Sequence, residues 1–139
     1  MTPPPDSELS LVVRTDFSDQ AAWDWLRAEI VEPVGPDRFQ AYVEFVDDRA
    51  YAGATPERLV ADFARNARPF LIVADSVAMA HPEHLLLVLD LLEVPGRTFR
   101  APPSRIQGIE NNLSISNMDF EDFASYTDEA GVFRGFPGE

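Results

Sequence analysis

The stretch Phe-Leu-Ile-Val-Ala-Asp at residues 70–75 is a continuous apolar run that ends in an aspartate. A short run that is apolar throughout is typical of a strand buried on both faces of a parallel sheet. Three further runs, at residues 11–16, 42–48 and 85–90, also carry an aspartate at or near the carboxyl end. Helix-like segments separate the runs, and this alternation predicts an α/β protein.

The expected fold is a three-layer sandwich around a mostly parallel central sheet of about five strands. Val94-Pro95-Gly96-Arg97 has the proline and glycine of a type II turn, so residues 97–101 should fold back on the fourth run as an antiparallel hairpin. A chain of 139 residues favours one domain, which we place at residues 10–136. Residues 1–9 are expected to be a mobile Pro-rich tail and residues 137–139 a C-terminal tail.

Two helices have recognisable beginnings. Ser18 is the expected N-cap of a helix from Asp19 to about Val31, whose buried stripe would be Ala22, Trp25, Leu26 and Ile30. Thr55-Pro56-Glu57 combines an N-cap, a proline at the first helical position and an acid in the first turn. The stripe of this second helix would be Val60, Phe63, Ala64 and Ala67. A third helix should follow Pro102, and a short fourth one should run from Phe120 to about Thr127.

The charge balance restricts the classes of partner. The formal net charge is −13, which argues against binding nucleic acid but is compatible with a basic protein partner, a cation or solubility alone. All 11 cationic side chains are arginine, so Schiff-base lysine chemistry and the P-loop lysine are excluded. The lack of lysine also argues against a phosphoacceptor receiver domain, which needs a lysine at the end of its last strand. The chain has no cysteine and no apolar run of the roughly 18 residues that cross a bilayer. We expect a cytoplasmic protein with no membrane contact, and homo-oligomerisation is left open.

The strand-end aspartates are the first candidate site. Asp16, Asp47, Asp48 and Asp75 follow strands whose carboxyl ends would share one edge, where open α/β sheets bind ligands. Asp16, Asp48 and Asp75 could hold Mg²⁺, which commonly takes one or two carboxylates plus water. The alternative is that each aspartate caps the turn after its strand.

Three other segments each have a functional and a structural interpretation. His81-Pro82-Glu83-His84 has too few ligands for a typical zinc site and is expected to be a solvated loop. Asn111, Asn112 and Asn117 lie in a polar stretch that could orient a ligand or could end a helix. Phe133, Arg134 and Phe136 could dock on the protein's own core or could anchor a partner.

Residues 11–19, 111–120 and 131–136 together resemble a family of small uncharacterised bacterial proteins, mostly actinobacterial, that is catalogued as a domain of unknown function. The most specific parts are Asn-Asn-Leu-Ser at 111–114 and Phe-Arg-Gly-Phe at 133–136, and the likeness runs from about Leu11 to Phe136. The resemblance implies one bacterial cytosolic domain and no particular mechanism.

The leading hypothesis is a non-catalytic acidic α/β interaction module without a cofactor, whose partner could be a basic protein. It rests on the acidic charge, the small size and the lack of a catalytic motif such as Gly-x-Ser-x-Gly or His-Glu-x-x-His. The alternative is a divalent-metal-binding domain or metal-assisted enzyme that uses Asp16, Asp48 and Asp75, with Mg²⁺ as the expected ion.

Overall fold

The computed structural model describes residues 9–64 and 68–137, which form a five-stranded sheet with helices. The strands are β1 Ser10–Arg14, β2 Val43–Val46, β3 Phe70–Ala74, β4 Leu86–Asp90 and β5 Thr98–Ala101. The helices are α1 Gln20–Val31, α2 Pro56–Phe63, α3 Ser76–Ala80, α4 Ile106–Ser114 and α5 Phe120–Ala124. Short 3₁₀ turns precede α2 and α4, at Arg49–Tyr51 and Pro103–Arg105.

The sheet is mixed, with the strand order β2-β1-β3-β4-β5. β1 pairs in parallel with β2 and β3, whereas β4 runs antiparallel to both β3 and β5. The α/β class and the final hairpin are therefore confirmed, but a mostly parallel sheet is not. The hairpin turn has the expected form, because the Arg97 backbone N–H donates to the Val94 carbonyl at 3.0 Å and Gly96 has a φ of +99°.

The segment before β4 is short for a parallel crossover. The eleven residues 75–85 separate β3 from β4, and a crossover to a parallel strand needs about a dozen or more. The chain turns back instead, through His84 with a φ of +50°. Asp90 consequently pairs with Phe70 at the amino end of β3, so the fourth run does not contribute to the carboxyl edge.

Alternating side chains along the strands divide the core into two clusters. Phe70, Ile72 and Ala74 of β3 pack in one cluster with buried residues of α1, α4 and α5. Leu71 and Val73 pack in the other with Leu59 and Phe63 of α2. Helices α1 and α2 therefore contribute to different clusters. The three-layer arrangement remains a prediction.

The structure corrects the two helix predictions in detail. Asp19, not Ser18, caps α1, because its carboxylate accepts the Ala22 N–H at 3.0 Å. Trp23 is buried and Trp25 is 45% exposed, because the first tryptophan packs edge-on against Phe45 of β2.

Thr55 caps α2 as predicted, with its hydroxyl accepting the Arg58 N–H. The buried face of α2 is formed by Leu59 and Phe63, whereas Ala64 is exposed. β2 covers residues 43–46 of the run at 42–48, and Val34 and Phe39 form an isolated bridge within the preceding loop.

Some sequence predictions fall outside the described residues. They are Ala67 in the stripe of α2, residues 1–8 of the first tail and residues 138–139 of the second. Within the part of the chain that the structure describes, no helix is long and apolar enough to cross a membrane.

Candidate functional site

A crevice of about 530 Å³ opens at the carboxyl ends of β1 and β3. Its wall consists of three segments, residues 15–18, 52–54 and 75–76. The chain leaves β1 through α1 to β2 on one side, and it returns through α2 to β3 on the other side. The crevice therefore lies where the strand order reverses, which is the usual ligand position in open α/β sheets.

Asp16 contributes an oriented carboxylate to this crevice. Its Oδ1 accepts the Ser18 backbone N–H at 2.7 Å, which fixes the side chain over the loop that follows β1. Within residues 9–64 and 68–137, its Oδ2 makes no hydrogen bond or ion pair. Asp16 is half-buried, so this second oxygen remains available to a ligand.

Asp75 lines the same crevice, but its charge is compensated. The Arg100 guanidinium donates Nη1 to Oδ1 at 3.0 Å and Nη2 to Oδ2 at 2.7 Å. The same Oδ1 accepts the Ala78 N–H at the start of α3. Such a two-point arginine pair holds a carboxylate firmly and leaves it a poor metal ligand.

Asp47 and Asp48 are outside the crevice wall. Asp48 caps the 3₁₀ turn by accepting the Ala50 N–H at 2.9 Å, and Asp47 approaches Arg14 at 3.3 Å. No group of three or more His, Asp or Glu side chains within the described ranges is arranged to hold a metal ion. The structure thus brings Asp16 and Asp75 to one crevice and uses Asp48 as a cap.

Arg14 stabilises the loop that follows β1 at the carboxyl edge. It was not predicted from the sequence as a residue of the site. This residue is 2% exposed, and its Nε donates to the Asp16 carbonyl at 2.9 Å. Nη1 donates to Gln20 at 3.0 Å, and the guanidinium lies 4.4 Å from the Phe17 ring centroid. The signal available in the sequence was an arginine inside an otherwise apolar strand.

The histidine segment is held by contacts within residues 78–84 and by one ring contact with α1. Nδ1 of His84 lies 2.8 Å from the Ala78 carbonyl, and its ring packs 4.7 Å from that of Trp25. His81 accepts the Glu83 N–H through Nδ1. Both rings therefore contact other groups of the protein, whereas the sequence predicted a loop with solvated histidines.

The asparagine stretch ends α4. The Asn112 carbonyl accepts the N–H groups of Asn117 and Met118, and its side-chain Oδ1 accepts from Asn117 Nδ2 at 2.7 Å. Asn112 Nδ2 donates to the Gly108 carbonyl at 2.8 Å. Asn111 is exposed. The helix-ending role considered from the sequence is present, and Asn112 also lines a second cavity.

The C-terminal segment, residues 131–136, docks beside β5. The Arg100 N–H donates to the Gly131 carbonyl, and the Phe133 N–H donates to the Arg100 carbonyl at 2.7 Å. Phe133 is 3% exposed, Phe136 is half-buried and Arg134 is exposed. Arg134 pairs with Glu83 and with Asp128, the latter at 3.0 Å, and so ties the segment to two loops.

We expect acid to loosen this segment. The hydrogen bond from Arg134 lowers the pKa of Glu83 below 4.5, and the Val132 N–H followed by Arg134 lowers the pKa of Asp128 below 3.8. Because both carboxyls have a lower pKa when folded, their stabilisation is complete above these values and is lost as the pH falls below about 4. The protection factor of the Phe133 amide should decrease between about pH 6 and pH 3. An equal decrease in Arg134→Gln would contradict this cause.

The second cavity measures about 310 Å³ and lies between α4 and the C-terminal segment. Phe123, Phe133 and Phe136 form its aromatic side, and Arg105, Gly108 and Asn112 are among the residues on its other sides. Three residues predicted from the sequence to face a ligand or partner, Asn112, Phe133 and Phe136, therefore meet here. Gly108 and Arg105 were missed, because their positions depend on how α4 packs.

No curated protein matches the chain. A family model does match it, over residues 9–136, which is nearly the whole chain. The matched region contains all five strands, the crevice and the second cavity. The chain belongs to the family described as Domain of unknown function (DUF6924).

Proposed function

We propose that the protein is a non-catalytic acidic module that binds a basic protein partner, and that a cationic side chain of the partner enters the crevice beside Asp16. The observation that carries the proposal is the Asp16 carboxylate, with one oxygen fixed by the Ser18 N–H and the other without a partner among the described residues. A guanidinium or ammonium at Oδ2 would make a charge-assisted hydrogen bond.

The charge distribution at the edge supports the same partner class. The carboxyl edge of the sheet and the loops beside it carry five carboxylates and three guanidiniums. The carboxylates are those of Asp16, Asp19, Asp47, Asp48 and Asp75, and the guanidiniums are those of Arg14, Arg49 and Arg100. The whole chain, including this region, carries a net charge of −13. Such a field accelerates the encounter with a basic protein and makes the association sensitive to salt.

A comparison at constant net charge tests this proposal. The edge variant Asp16→Asn/Asp19→Asn/Asp47→Asn and the control variant Asp24→Asn/Glu29→Gln/Glu32→Gln each remove three negative charges. Asparagine can still cap α1 at position 19. With a peptide of alternating arginine and glycine as the probe, we expect the edge variant to bind at least about tenfold more weakly, and the control to change about threefold or less.

Equal losses in the two variants would contradict the proposal, because they would show attraction by net charge alone. Binding that does not weaken between about 50 and 500 mM salt would contradict its electrostatic basis. Calorimetric titration measures both outcomes.

The second candidate function is Mg²⁺ binding. Asp16 and Asp75 line one crevice, which favours it, whereas the Arg100 pair at Asp75 weighs against it. A resident ion raises the melting temperature of the protein that binds it. A saturable rise with Mg²⁺ in the wild type that disappears in Asp16→Asn would favour the metal, and no rise at millimolar Mg²⁺ would reject it.

We also propose a bacterial cytoplasmic location. The absence of cysteine from the chain supports it, because small domains of oxidising compartments commonly carry disulfides. Fractionation of source cells tests the location, and recovery in the extracellular fraction would contradict it.

A further inference from the structure

We propose that the outer edge of β2 binds an extended segment of a basic partner, which adds to the sheet as a further, antiparallel strand. The outer edge is the side of β2 that faces away from β1. The inference rests on the proposed function for the class of partner. It adds a second contact surface and the conformation in which the partner binds there.

The two outer strands of the sheet differ in how they are covered. Beside β5, Arg100 forms a parallel bridge with Val132, and the Phe133 N–H donates to the Arg100 carbonyl. Beside β2, no segment of residues 9–64 and 68–137 pairs with the strand on its outer side. An uncovered edge presents backbone donors and acceptors to which another chain can add a strand.

The ladder between β1 and β2 determines which backbone groups lie at this edge. The Ser10 N–H donates to the Tyr42 carbonyl at 3.3 Å, and Ser10 is in register with Val43. In a parallel pair, alternate residues of a strand bond to the same neighbour. The backbone groups of Glu44 therefore point toward β1, whereas the N–H and carbonyl groups of Val43 and Phe45 point to the outer edge.

The side chains of β2 define the sequence pattern of the partner segment. Val43 and Phe45 are half-buried against the core cluster that contains Trp23. Glu44 lies on the opposite face, and among the described residues its carboxylate makes no hydrogen bond or ion pair. In an antiparallel pair, directly opposed side chains share one face of the sheet. Apolar residues therefore fit opposite Val43 and Phe45, and a cationic residue fits opposite Glu44.

Charge favours a basic segment over a second copy of this chain. Glu44 is the only ionisable side chain of β2, and a cation opposite it would be stabilised. A second copy would bring together two chains that each carry a net charge of −13, and they would repel one another. Tyr42, which directly precedes β2, is 68% exposed, and aromatic side chains are enriched at protein interfaces.

N-methylated peptides test the strand addition, because they remove backbone donors and keep every charge. The probe is the pentapeptide acetyl-Val-Arg-Val-Arg-Val-amide. In the proposed register its valine N–H groups donate to β2, and its arginine N–H groups point to solvent. N-methylation of the valines should therefore weaken binding at least about tenfold, and N-methylation of the arginines should change it about threefold or less.

NMR titration combined with amide hydrogen exchange locates the bound peptide. We expect saturable shifts at residues 42–46, and exchange of the Val43 and Phe45 amides should slow at least about tenfold at saturation. Glu44→Gln should weaken binding about two- to fivefold. The matched control Glu29→Gln removes the same charge from the exposed face of α1 and should change binding about 1.5-fold or less.

The same titration separates this inference from the basic-partner proposal. Saturable shifts confined to the crevice, at residues 15–18, 53 and 76, would overturn the inference and leave that proposal standing. No saturable binding of the probe at low salt, or equal affinity of the two N-methylated peptides, would also overturn the inference. A dimer of the free chain that dissociates when the probe binds would overturn it as well, because the occupant of the edge would then be a second copy.

Discussion

Replacing Asp90 with alanine is expected to lower the free energy of unfolding by about 3–5 kcal/mol, because it removes a buried carboxylate that accepts three backbone hydrogen bonds and pairs with Arg97 at 3.3 Å. Asp90 is 0% exposed at the end of β4. Its Oδ1 accepts the N–H groups of Leu92 and Glu93 at 2.9 and 3.0 Å, and its Oδ2 accepts the N–H of Val94 at 2.9 Å. The alanine variant would leave these backbone donors unsatisfied at the turn that joins β4 to β5.

Urea unfolding of the wild type, Asp90→Ala and Asp90→Asn measures this effect. The asparagine variant keeps one acceptor oxygen and should lose roughly half as much. Glu129→Gln, an exchange of an exposed carboxylate that makes no side-chain hydrogen bond or ion pair among the described residues, is the control and should change stability by about 0.5 kcal/mol or less. A loss below about 1 kcal/mol in Asp90→Ala would show that the carboxylate does not organise the turn.

The exchange Phe133→Ala is expected to cost about 3–5 kcal/mol of unfolding free energy, because it removes a buried ring and enlarges the second cavity. Phe133 is 3% exposed, and its ring contacts those of Phe99, Phe123 and Phe136. The residue therefore joins the C-terminal segment to the core built on β5 and α5.

Tyr126→Ala is the matched control for this exchange. Tyr126 is 51% exposed and contacts the same aromatic group through Phe136, with centroids 5.2 Å apart. We expect its replacement to cost about 1 kcal/mol or less. Similar unfolding midpoints for Phe133→Ala and Tyr126→Ala would contradict the docking of the segment.

The sequence predicted the strands well because their signals are local. The run at 70–75 is apolar at every position of β3, and the Pro-Gly turn before Arg97 identifies the hairpin. The direction of β4 was missed because it depends on the length and course of residues 75–85. The buried tryptophan was misassigned because Trp23 and Trp25 both fit a helix, and only the position of Phe45 selects the first.

The site was predicted less completely, because its decisive contacts are non-local. Asp16 and Asp75 are strand-end residues, and the parallel pairing of β1 with β3 brings both to one crevice. The pairing of Asp75 with Arg100 joins residues 25 positions apart, so it requires the strand order β3-β4-β5. The position of Gly108 at the second cavity was not predicted from the sequence, because it depends on how α4 packs against the C-terminal segment.

The most direct test of the basic-partner proposal is an NMR titration of the wild-type protein with N-acetyl-arginine amide at low salt. The proposal predicts that the largest and earliest amide shifts occur at residues 15–18, at Gly53 and at Ser76, which surround the crevice. Earlier or larger shifts on the acidic exposed face of α1, or around Glu121 and Asp122 of α5, would contradict it.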